Sequence, residues 1–242
     1  MPSDPATVAP RAPTRTKLAP DVRRAQFLDC AQALFFSAGY EATTVNDILA
    51  RAGASKGAFY HYFDSKEALL DALAERVAAQ VIADAEDILD DPSLDALSRL
   101  NAFLAQGRHW KIERAPMLRA MFDALLKSEN VALNQRIIAA SGKVVTPVLT
   151  AIVEEGTREG VFDPASPAMV AEIVLLMGAA RMTVSVEAMA LAARGDLDAA
   201  TARLEARMAD EEGVIERLLG VPRGSVQLSE PGFMRALLAA MA

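Results

Sequence analysis

Cysteine is almost missing from this chain: Cys30 stands alone among 242 residues. An intrachain disulfide is thereby excluded, which fits a reducing, cytoplasmic setting. Histidine is nearly as scarce, with only His61 and His109. That leaves neither a Cys-His site of ordinary catalytic spacing nor a His-rich metal site. No glycine-rich phosphate loop occurs. Carboxylates pair at Asp90-Asp91, Glu154-Glu155 and Glu211-Glu212, and each pair reads as a solvated face or a helix end. The expectation is a non-enzyme with no cofactor and no metal. Aromatic residues are 5% of the chain against 52% hydrophobic. A core of Ala, Leu, Val and Met follows, which favours helix over sheet. The first 20 residues hold five of the 12 prolines and lack the apolar segment of a secretory signal. Residues 1–19 read as a disordered arm.

The net charge of −7 argues at first against a nucleic-acid partner, but its distribution matters more than its sum. Residues 1–70 hold 8 Lys/Arg against 7 Asp/Glu, whereas residues 71–242 hold 17 against 25. The acid lies in the C-terminal two-thirds. Charge therefore permits DNA binding by the N-terminal end. A non-specific architectural DNA protein would be strongly basic, and this chain is acidic.

After residue 20 helical periodicity dominates. Phe27, Ala31, Leu34 and Phe35 mark one apolar stripe, which Gly39 ends as a left-handed cap. Thr44 with Asp47 resembles a capping box, and Val45, Ile48 and Leu49 follow it. Gly53 supplies a tight turn, and Ser55 caps a short helix ending near Phe63. The next helix starts at about residue 65 and runs to about 90. Later helical runs fall at about 93–113, 116–128, 130–156, 166–194, 197–219 and 231–241, separated by Pro, Gly or Asp. The expected fold is all-α. Three short helices with a glycine turn between the second and third form a helix-turn-helix. Ile173 to Ala193 is apolar enough to raise a membrane span, but Arg181 and Glu187 lie within it at a costly depth. A helix buried in a bundle or dimer fits better.

The stretch GASKGAFYHYF, residues 53–63, gathers two of the three tyrosines and one of the two histidines beside a lysine and two glycines. On a helix of 100° per residue, Lys56, Gly57, Tyr60 and His61 share one arc, and Phe59 lies on the other with Ala58 and Tyr62. One arc faces the core. The other offers an ammonium, a bare backbone, a phenol and an imidazole. DNA accounts for each: Lys56 for phosphate or guanine, Gly57 for close backbone approach, Tyr60 and His61 as donors to phosphate oxygens. Helix N-termini at Thr44 and Lys66 add dipoles on either side. The alternative is an ordinary polar face.

The run TTVNDILARAGASKGAFYHYFDSKEALL, residues 43–70, resembles the DNA-binding signature of the TetR family of bacterial repressors. The carriers are Thr44, Ile48-Leu49-Ala50, Ala52-Gly53-Ala54-Ser55, Gly57-Ala58-Phe59-Tyr60 and Phe63-Asp64-Ser65-Lys66-Glu67-Ala68-Leu69. Leu49 ahead of Ala50 and the order His61-Tyr62 depart from the commoner pattern. The resemblance covers about residues 20–70. It implies DNA contacts at Thr43, Thr44, Ser55, Lys56, Gly57, Tyr60, His61 and Lys66. It also implies a DNA-binding domain over 20–68 and a helical ligand-binding and dimerisation domain over 69–242. The homodimer would form through helices at about 166–194 and 197–219. The implied function is a repressor released from a palindromic operator by a small, mainly apolar ligand. A ligand-independent or corepressor-dependent regulator is the alternative, and a helical protein-interaction module a more distant one.

Candidate pocket residues are Phe103, His109, Trp110, Arg114, Met117, Met121, Phe122, Leu125, Met177 and Arg181. Methionine suits an adaptable apolar cavity, although any one of these side chains equally fits a plain core. In the arm, Arg11, Arg15 and Lys17 either reach a minor groove or belong to a flexible tail.

Overall fold

The computed structural model describes residues 19–115, 119 and 131–241, with only the backbone of Val131 and Ala132. Residues 1–18 and the helical run expected at 116–128, apart from Arg119, lie outside the described residues. Among the described residues all regular structure is helical: α1 Pro20–Ala38, α2 Val45–Ala52, α3 Lys56–Tyr60, α4 Lys66–Ala83, α5 Glu86–Leu89, α6 Ala96–Glu113, α7 Val131–Glu159, α8 Pro167–Ala193, α9 Leu197–Leu219 and α10 Phe233–Met241.

The helix starts are written in local polar residues. Side-chain oxygens of Ser65, Asp95, Ser166 and Asp196 each accept the backbone N–H three residues on. Such a cap contributes about 1 kcal/mol. Two expected boundaries move. The Gly39 backbone has φ 84° and ψ 159°, so it is a positive-φ stop but not a left-handed helical cap. The helix expected to reach residue 90 stops at Ala83: Ala85 is fully buried with φ −109° and ψ 6°, which breaks the ladder before α5.

Two cores form. The first joins α1, α2, α3 and the start of α4 around Phe27, Leu28, Ile48, Phe59 and Leu69, all at most 1% exposed. Phe27 meets Phe59 edge-on at 5.5 Å and Phe63 at 6.3 Å. The second joins α6 to α10 around Phe103, Leu149, Ile152, Leu204, Met208 and Leu219. Helix α4 packs on α1 and on α6 and α7, so it touches both halves. Leu133 of α7 enters the first core. Arg136 and Lys143 of α7 pair with Asp71 and Glu75 of α4. Any motion of α7 therefore bears on the helix that carries α1 to α3.

Helices α7 and α8 are long and apolar enough to cross a membrane by composition. Here they lie against one another, and α8 also packs along α9. Arg181 and Glu187, the charges within the apolar run 173–193 of α8, are answered from α9. Arg181 Nε donates to Glu211 at 2.8 Å, and Glu187 accepts from Arg203 Nε at 2.8 Å.

Residues 221–232 fold back as a strap held by side chains. Asn101 donates to Ser225 O at 2.7 Å and accepts from Gln227 N at 2.9 Å. Glu216 accepts from Val226 N, and Glu212 from Leu228 N. Buried Arg108 donates to Gln227 O and pairs with Glu230. These bonds set α10 against α6 and α9. The glutamates at 211 and 212 are thus not solvated: Glu211 is 3% exposed between two arginines, and Glu212 holds the strap. Glu155 likewise pairs with buried Arg99.

Candidate nucleic-acid interface

The turn between α2 and α3 is fixed from both ends. Thr44 Oγ1 accepts from Asp47 N at 3.2 Å, and Asp47 Oδ2 accepts from Thr44 N at 2.8 Å. This is a reciprocal capping box. The Thr44 hydroxyl also donates to Asp47 Oδ2 at 2.6 Å, and this bond, then the one from Thr44 N, holds the Asp47 carboxyl below the usual carboxylate range. Gly53 closes α2 with φ 57° and ψ 36°, the left-handed region that glycine enters without penalty. Ser55 then caps α3 by accepting from Ala58 N at 3.3 Å.

Helix α3 presents the two arcs that its sequence describes. Phe59 is 0% exposed and anchors the helix. Ala58 and Tyr62 are half-buried, and Tyr62 leans on Phe27 at 6.1 Å. Lys56, Gly57, Tyr60 and His61 are exposed together. The Lys56 ammonium sits 5.9 Å from the Tyr60 ring centre. Between the adjacent rings at 61 and 62, His61 is the one left in solvent. A methyl added at Gly57 would meet nothing within 4 Å. No neighbour within the protein requires glycine there, so the bare backbone is free to serve an outside surface. Thr44 and Ser55 are exposed beside this face.

Two residues expected on this face are placed otherwise. Thr43 is 2% exposed, and its hydroxyl donates to Gly39 O at 2.7 Å. Lys66 Nζ donates to Tyr40 O at 3.0 Å and Thr43 O at 3.1 Å, and lies 4.0 Å over the Tyr40 ring. The Thr43 bond braces the α1–α2 loop internally, the Lys66 bonds tie that loop to α4, and neither side chain is turned outward to a phosphate. Tyr40 completes the knot by donating to Glu67 at 3.3 Å. Burial, then the Glu67 charge, pushes its phenol pKa up.

The expected pocket residues that are described take these places. Phe103 is core, His109 is exposed, and Met177 packs at the edge of the larger core. Arg114 stacks over Trp110 at 4.9 Å. Trp110, like Met189 and Leu237, packs against the small cluster of Ala115 and Met241. Arg181 lines a cavity that also includes Lys111, Ser185, Met208 and Met234, which sequence reasoning missed. Met117, Met121, Phe122 and Leu125 lie outside the described residues.

Comparison with known proteins agrees with this geometry. Residues 27–73 match the family described as bacterial regulatory proteins, tetR family. The transcriptional repressor KstR2 of Rhodococcus jostii is 51% identical over 49 residues, which are 20% of this chain and 24% of that protein. The Mycobacterium tuberculosis repressor of the same name is 40% identical over 32% of this chain and 38% of its own length. The chain therefore spans well under half of these repressors. The nucleoid occlusion factor SlmA of Shewanella amazonensis is 31% identical over 66% of this chain and 81% of its own. Among solved structures, a TetR-family regulator from Syntrophomonas wolfei superposes with a TM-score of 0.57. It is 22% identical and covers 84% of this chain and 99% of the other. From the matched helix-turn-helix and a relative shared along most of its length, this chain belongs to the TetR family of bacterial regulatory proteins.

Proposed function

We propose that the chain is a cytoplasmic, sequence-specific DNA-binding transcriptional regulator, acting as a homodimer on a palindromic operator and released by a small ligand. One observation carries this reading: α3 buries Phe59 and turns Lys56, Gly57, Tyr60 and His61 outward together. Five residues expose little reading surface, so one copy gives limited affinity. Two copies about one helical turn apart read two half-sites and double the phosphate contacts. The dimer surface is assigned to α8 and α9, on which Met169, Leu176 and Val214 are 53%, 56% and 41% exposed. A neighbouring copy of this apolar face would cover them. The assignment of residues 20–68 to DNA and 69–242 to ligand and partner belongs to the same reading.

Regulation follows as a population shift. DNA binding requires one spacing of the two α3 helices. Helix α4 joins α1 to α7, so a ligand that prefers another arrangement of the larger half lowers operator affinity by its differential affinity for the two states. Repression extends the name carried by the KstR2 relatives, which are transcriptional repressors.

The test is selection of genomic fragments by the purified protein, wild type beside Lys56→Ala/Tyr60→Ala. Enrichment of a palindrome by wild type alone supports the reading. Equal enrichment by the double variant removes α3 as the reading element.

A further inference from the structure

A cavity of about 90 Å³ lies between α6, α8, α9 and α10. Its walls are apolar and rich in methionine, with Met189, Met208, Met234 and Met241 among them. Its polar rim is Lys111, Arg181 and Ser185. The Ser185 hydroxyl already donates to Arg181 O at 3.1 Å.

The charges at this rim do not balance. The buried Glu211 carboxylate takes Arg181 on one oxygen and Arg207 on the other, at 2.8 and 2.7 Å from their Nε atoms. Two guanidinium groups share one carboxylate, which leaves one positive charge over. Lys111 adds a second and has no ion-pair partner among the described residues. Lys111 lies at the exposed rim, where partial desolvation, then the nearby Arg181 and Arg108, lower its pKa. One donor beside the site is also unspent. Trp110 Nε1 is buried without an acceptor, and its ring packs against the cluster of Ala115 and Met241, the latter a lining residue of the cavity. An occupant that accepts from this orphaned donor would recover its desolvation cost.

We propose that this cavity takes a small apolar carboxylate, with its anionic head at Lys111 and Arg181 and its hydrocarbon body among the methionines. The inference rests on the ligand-regulated reading above and names the class of that ligand. The volume bounds the body. A dry cavity of about 150 Å³ admits a benzene ring, so this one takes a short chain or a single ring once its flexible methionines turn aside.

The experiment uses the full chain without DNA. Trp110 is the single tryptophan and packs beside the lining residue Met241, so its emission reports changes at the site. Hexanoate and benzoate are titrated beside hexanol, methyl benzoate and ethyl phosphate, with calorimetry as a second readout. The acids bind at least tenfold more tightly than the neutral compounds and the phosphate. Lys111→Met and Lys111→Gln each lose tenfold or more for the acids, with unchanged thermal melting and unchanged hexanol binding. Lys143→Ala, which alters a lysine on α7 away from the cavity, changes nothing. Equal binding of acids and neutral compounds overturns the proposal, as does tighter phosphate binding, or failure of both acids to bind. None of these outcomes involves DNA, so failure here leaves the α3 reading standing. Operator release by a bound acid is measured separately.

Discussion

Gly57→Ala separates stability from DNA binding by giving them opposite signs. Gly57 lies in the first turn of α3, with no atom within 4 Å of the position a methyl would take. The fold therefore accepts alanine without a clash. Replacing a helical glycine restricts the unfolded chain and improves helix propensity, a gain of about 0.5–1 kcal/mol. For a chain of this length that raises the melting temperature by roughly 1–4 °C. On DNA the same methyl stands between the backbone of α3 and the sugar-phosphate chain. It must push the two apart by a carbon radius and weaken Lys56, Tyr60 and His61 at once. A loss of at least about 1.4 kcal/mol, or tenfold in Kd, is expected. Thermal denaturation measures the first effect, and fluorescence anisotropy on the selected duplex measures the second. If the alanine protein is more stable and binds with wild-type affinity, α3 does not approach DNA through Gly57.

Other substitutions test the frame and the cavity. Gly156→Ala sets a carbon 2.1 Å from the Phe162 ring, which is 3% exposed. Overpacking of this kind costs about 1–3 kcal/mol, read as a lower melting temperature by calorimetry. Thr44→Ala removes the capping box of α2 and costs about 0.5–2 kcal/mol; hydrogen exchange should quicken in α2 before α1. Carboxylate affinity of the cavity falls as pH rises and Lys111 loses its proton, at a pH below the usual lysine range. Arg181 and Arg108 press on it from α8 and α6, and Glu211 opposes them from α9. Titrations at pH 7 and pH 9.5 check this, and Lys111→Met abolishes the difference.

The helix-turn-helix was legible because its signals are local. Thr44 with Asp47, Gly53 and Ser55 each act within four residues, and the periodicity of α3 sorts Phe59 from Tyr60 without tertiary knowledge. What sequence misplaced depends on distant partners. Lys66 carries a charge at a helix start and so looks like a phosphate contact. Its ammonium is spent on a carbonyl 26 residues earlier. Glu211 looks like a solvated acid until Arg181, 30 residues away, is packed against it. The cavity was illegible for the same reason: its lining comes from four helices spread over residues 111–241. Only Arg181 among its lining residues had been singled out, and it stood out as a charge inside an apolar helix.

The most direct test of the α3 reading is the salt dependence of operator affinity for wild type, Lys56→Ala and Lys66→Met. Each phosphate contact contributes about 0.9 to the slope of log K against log salt. Lys56 is exposed on α3, so its loss from both copies of a dimer should lower the slope by about 2 and leave melting unchanged. Lys66 is bound to Tyr40 O and Thr43 O, so Lys66→Met should cost about 1–3 kcal/mol of stability and leave the slope as it was. A slope unchanged by Lys56→Ala, or lowered by Lys66→Met in a protein of normal stability, would contradict the assignment of the DNA contact to α3.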